Sequence, residues 1–227
     1  MRSLRPSVFA ILVLSFPLMG CQKIFTTSLA EGLARDNYTI SANISNDAAA
    51  NIIDDPNTSS AVLSNLLAVL NDQATTGDSG AAALAAEAAV GASGVTTSLM
   101  PVLTELAHTK TPPDAASTAT ILSTLATGAS PEVVEGLLRL SDPATLAAAN
   151  LEPTDLVFAA ALLAASALPD GVSNPADLSG TDLDNYRTSP AVQLAITLAG
   201  DASAGLAGTT LGSELADSIT DLLNTGA

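Results

Sequence analysis

Acid–base, nucleophilic or metal chemistry in this chain has to start from one thiol, one imidazole and 23 carboxylates, because Cys21 is its only cysteine and His108 its only histidine. With no second His or Cys, the common zinc sites are out of reach. Glu105 precedes His108 and Lys110 follows it, the polar setting of a solvated residue at a helix end rather than of a tuned general base. Gly-x-Ser-x-Gly and a Walker-type phosphate loop are both absent. A triad would have to recruit His108 with no supporting context. Asp182, Asp184 and Asn185 offer hard oxygens, of which calcium takes about six to eight. Their spacing lacks the glycine and the closing glutamate of an EF-hand, so the stretch from Pro169 to Ser189 is expected to be a solvated loop, with Asp182 and Asp184 as its only metal candidates. Neither a catalytic residue nor a cofactor is expected.

Cys21 stands in a different setting. Arg2 and Arg5 precede an apolar run from Val8 to Leu18, and Gly20 stands directly before the thiol. A positive start, a short apolar stretch and a small residue before a cut site are the parts of an export signal. The run is too short to span a bilayer, which takes ~20 apolar residues. Leu18-Met19-Gly20-Cys21 resembles the lipobox of bacterial lipoproteins, which reads Leu, a small or apolar residue, Gly or Ala, then Cys. The resemblance implies removal of residues 1–20, a diacylglycerol on the Cys21 thiol, and a further palmitate-like chain on the new amino terminus. Residues 21–26 become a lipidated tether. One acyl chain anchors only marginally, whereas two hold a protein on its membrane. The membrane is then one partner, and the place is the extracytoplasmic side of a bacterial envelope. Gln22 stands where Asp would mark inner-membrane retention in the enterobacterial pattern, which favours an outer membrane.

Charge narrows the partners further. The chain carries a formal −16, and loss of Arg2 and Arg5 with residues 1–20 leaves −18. Nucleic acid needs a basic footprint, so it is excluded as an expected partner. The same charge repels anionic headgroups, which leaves membrane contact to the acyl chains. An envelope protein is the expected partner. The alternative is a solute- or lipid-binding accessory role in an envelope transport system, with a pocket between helices.

The elements that carry this surface are helical. Aromatic residues make up 3% of the chain and β-branched residues do not alternate, so strands are not expected. Residues 27–227 read as a single all-α domain, an irregular bundle or stack of about nine short helices. Short helices are expected near Thr27–Asp36 and Asp47–Asp54. Val62, Leu63, Leu66, Leu67, Val69 and Leu70 then mark a helical face of about fourteen residues capped by Asn57 or Thr58. After a loop from Asp72 to Gly80, Ala81–Val90 is a thin alanine helix that should let its neighbours approach closely. Gly91 and Gly94 end it, and a new helix or a kink is required at Pro101. Thr111-Pro112, Ser130-Pro131, Asp142-Pro143 and Ser189-Pro190 each place a capping residue before proline, the signature of a helix start. They give helices over Pro112–Thr127, Pro131–Leu140, Pro143–Ala149 and Pro190–Ala199, joined by Thr154–Leu168 and Leu211–Asn224. Thr154–Leu168 is apolar all round and is the expected centre of the core. The alanine- and leucine-rich helices behind Cys21-Gln22-Lys23 resemble uncharacterised helical lipoproteins of the spirochaete type. They are also similar, more distantly, to helical lipoproteins associated with periplasmic solute transport.

Overall fold

A computed structural model describes residues 39–96, 124–169, 171–172 and 178–205 of the chain. Among them there is no strand, and helices pack against one another, in agreement with the all-α expectation. The elements are α1 (Asn46–Ile53), α2 (Ser60–Thr75), α3 (Ser79–Ala92), α4 (Pro131–Leu138), a 3-10 turn (Arg139–Ser141), α5 (Pro143–Ala148), α6 (Pro153–Ser166), α7 (Thr181–Thr188) and α8 (Pro190–Gly205). The signal, the tether and the helices expected over Thr27–Asp36 and Leu211–Asn224 lie outside the described residues. So does most of Pro112–Thr127.

Short polar side chains start these helices. Ser45, Ser59, Asp78, Ser130 and Asp142 each accept the backbone N–H three residues ahead, which satisfies a donor that the first helical turn leaves free. Ser189 does the same for α8, accepting from the Val192 N–H at 3.2 Å. Ser130-Pro131, Asp142-Pro143 and Ser189-Pro190 therefore each begin a helix, whereas Asp55-Pro56 lies in the turn between α1 and α2. The start of α2 differs from expectation by one or two residues: Ser59 is the cap, while the Thr58 hydroxyl donates to the Ile52 carbonyl at 2.8 Å and closes off α1. The expected loop after Asp72 shortens, because α2 runs to Thr75 and Asp78 already caps α3.

The stretch from Pro169 to Ser189 is not a loop throughout. Thr181–Thr188 is helical, with Asp182 and Asp184 in the first turn and Arg187 in the last. That order of charge complements the helix dipole, and Tyr186, 3% exposed, supplies the apolar contact. Gly180 at φ +58 turns the chain into it, a backbone state that glycine adopts without a Cβ clash.

Two pairings dominate the packing: α2 lies along α3, and α6 along α8. The burial expected of the helix over Thr154–Leu168 is found in α6, where Leu162 and Leu163 are fully buried. The central position, however, belongs to α3, which touches α1, α2, α4, α5, α6 and the 3-10 turn. Its buried residues are Ala81, Ala83, Ala85, Ala86, Ala88, Ala89 and Val90. Such short side chains bring neighbouring backbones close. At Gly136 of α4 a Cβ would meet the Ala85 carbonyl oxygen at 3.0 Å and the Leu67 Cδ1 at 2.9 Å.

Candidate functional site

Cys21 and His108 lie outside the described residues. Asp182 and Asp184 lie inside them, both exposed on the first turn of α7. The structure does not bring a third ligand to them: among the described residues no group of three or more His, Cys, Asp or Glu side chains is placed to hold a metal ion. Their correction from loop to helix has a simple chemical reading, since carboxylates at a helix start interact with its free N–H groups.

Polar side chains also gather at three places, of which only the third, α7, contains residues that the sequence singled out. The first is a clasp between α2 and the end of α4. Asn71, 5% exposed, donates through Nδ2 to the Glu132 carbonyl at 3.0 Å. Arg139 returns two bonds, Nε to Asn71 Oδ1 at 3.1 Å and Nη2 to the Asn71 carbonyl at 3.0 Å. Its Nη2 also pairs with Glu135 Oε1 at 2.9 Å. A buried amide satisfied on both sides favours one arrangement of α2 against α4.

The second place is the junction of α1, α3 and the connection from α5 to α6. Glu87 is the one charged residue of α3, half-buried among its alanines, and its Oε1 accepts the Asn150 backbone N–H at 2.6 Å. Burial pushes the Glu87 carboxyl above its ordinary range, the Asn150 bond opposes this, and the charges of Asp54 and Asp155 add to the upward shift. Asp155 is raised too, first by burial and further by Glu152. It accepts the Glu152 N–H at 3.0 Å in a reciprocal capping box at the start of α6. The Glu87 carboxylate thus ties α3 to the connection from α5 to α6. Two exposed caps show the opposite behaviour: Asp78 is lowered mainly by the Ala81 N–H, and Asp142 mainly by the Thr145 hydroxyl.

The third place is α7. The Tyr186 hydroxyl and one terminal nitrogen of Arg187, Nη2, are buried without hydrogen-bond partners among the described residues. Burial pushes the Tyr186 phenol up to about 12, so it stays neutral and serves as an apolar body with an idle hydroxyl. No sequence signal separates these residues from ordinary surface positions.

No family model matches the chain, and neither a curated protein nor a solved structure matches it. No helix among the described residues is long and apolar enough to cross a membrane.

Proposed function

We propose that this chain is a bacterial envelope lipoprotein, held on its membrane through acyl chains on Cys21, whose helical domain binds or scaffolds a protein partner rather than catalysing a reaction. The observation that carries the proposal is the contiguous run from Arg2 to Cys21, with its positive start, apolar stretch and Leu18-Met19-Gly20-Cys21 end. The domain behind it supports a role for its outer surface. Its interior is filled by alanine contacts such as those of α3 and by leucines such as Leu66, Leu70, Leu162 and Leu198, all fully buried. Backbones as close as Gly136 and Ala85 leave little width between helices for a bound solute.

Metabolic labelling tests the anchor. In bacterial cells fed a labelled fatty acid, the wild-type chain is expected to carry label in the membrane fraction, and Cys21→Ser to carry none. Label persisting on the serine variant ends the proposal. Cross-linking in the same cells, followed by purification in detergent, then tests the partner: a discrete protein adduct supports a binding role, and an adduct with none but the chain itself argues against it.

A further inference from the structure

The first described residues are strapped to one end of the α2–α3 pair. Gln73, in the last turn of α2, donates through Nε2 to the Ala42 and Ile44 carbonyls at 3.0 and 3.1 Å. Asn46 donates through Nδ2 to Oδ1 of Asp78, the cap of α3, at 3.2 Å. Ile40 and Ile44 pack against the core as well. The chain therefore enters the domain at the turn between α2 and α3.

From that turn the contacts lead away in one direction. α3 starts at Ser79, and part-way along it Glu87 takes the Asn150 N–H, just ahead of α6. Past the end of α3, a Cβ at Gly128 would meet both Val95 Cγ2 at 2.6 Å and Leu162 Cδ2 at 3.4 Å, so α6 reaches that place too. α6 thus runs in the same sense as α3 and is displaced outward from the strap. α8 returns along it in the opposite sense, since a Cβ at Gly205, its last residue, would meet Pro153 Cγ, at the start of α6, at 2.7 Å. The first turn of α8 is then at the outer end of α6, and only Ser189 separates it from α7. α7, with Asp182, Asp184 and Asn185 exposed, lies at the opposite end of the domain from the strap.

On the reading that Cys21 is acylated, we propose that the chain stands on its membrane with the α2–α3 turn towards the lipid and α7 outward, which makes α7 the surface first met by a protein approaching from outside. Thr39 follows Cys21 by 18 residues, which span at most roughly 65 Å. α2 alone has 16 residues, a length of about 24 Å. With α7 towards the lipid, residues 22–38 would have to pass the length of the domain to reach their point of entry. With α7 outward they need not. Every reach open to the inverted domain is open to the upright one, and the short reaches belong to the upright one alone. The acidic charge adds repulsion from anionic headgroups, so no flank of the domain is drawn flat onto the surface.

Cys21 is the only cysteine and is consumed by acylation, so an introduced cysteine is the sole free thiol. Ser79→Cys, at the start of α3, and Asn185→Cys, on α7, replace exposed residues at the two ends. The full acylated chain, carrying a fluorophore at one or the other, is placed in phosphatidylcholine vesicles whose headgroups carry a quencher. Quenching is expected to be several-fold stronger at Ser79→Cys than at Asn185→Cys. Equal quenching, or stronger quenching at Asn185→Cys, on chains that remain with the vesicles overturns the orientation alone. Chains that do not remain with the vesicles overturn the anchoring itself, and the orientation with it.

Discussion

Both α3 and α6 are alanine-rich and buried on more than one side, but they hide different things. α3 buries six alanines and one valine, whereas α6 sets Val157, Phe158, Leu162 and Leu163 among its alanines. The thin helix takes the leucines of α2 on one side and, on another, gains stability by close backbone approach at Gly136 of α4. The thick helix gains it by apolar area, about 1.5–3 kcal/mol for each large side chain fully buried. Low amphipathic contrast in a sequence thus covers two packing modes with opposite sensitivities: α3 should be damaged by added volume and α6 by removed volume.

The largest effect is expected at α6. Leu162→Ala should cost about 2–5 kcal/mol, the range for truncating a fully buried leucine. Chemical denaturation read by circular dichroism checks it, and a loss too small to measure would mean that α6 is not the thick half of the comparison. Next comes the thin half. Gly136→Val should cost about 1–3 kcal/mol through overpacking against Leu67, Ala85 and Ala89. The same measurement applies, and an unchanged midpoint would show that α4 can back away from α3 freely. The smallest effect is expected outside both helices, at α7. Tyr186→Phe removes a buried hydroxyl that has no partner among the described residues, so its stability should stay within about 1 kcal/mol of wild type and lean towards a gain. A clear loss on denaturation would reveal a bond made by that hydroxyl in solution.

Helix existence was readable wherever the signal was local. Ser130-Pro131, Asp142-Pro143 and Ser189-Pro190 begin helices because a side-chain acceptor and a preset φ act within a few residues. The 3-10 turn that ends the expected Pro131–Leu140 helix was harder, since it arises where Arg139 reaches across to Asn71 and Asp142 caps the next element. α7 was missed because its composition is that of a turn. Its charge order, Asp182 and Asp184 first and Arg187 last, was the available sign of a helix. The Glu87 junction could not be read at all: one glutamate in an alanine run has the appearance of a solubilising residue, and Asn150, Asp54 and Asp155 reach it only through tertiary packing. For Cys21 the position is reversed, with the entire signal contiguous and nothing of it among the described residues.

The bond from Asn150 to Glu87 also makes one amide into a gauge. Asn150 is an exposed residue between α5 and α6, yet its N–H is occupied by a carboxylate from α3. Its proton can exchange with solvent only when that contact opens, so its protection reports separation of α3 from the α5–α6 connection and not the fraying of either helix. The Leu151 N–H beside it, which has no acceptor among the described residues, would serve as the unprotected reference. The free energy of opening this one joint is in that way separable from the free energy of unfolding the domain.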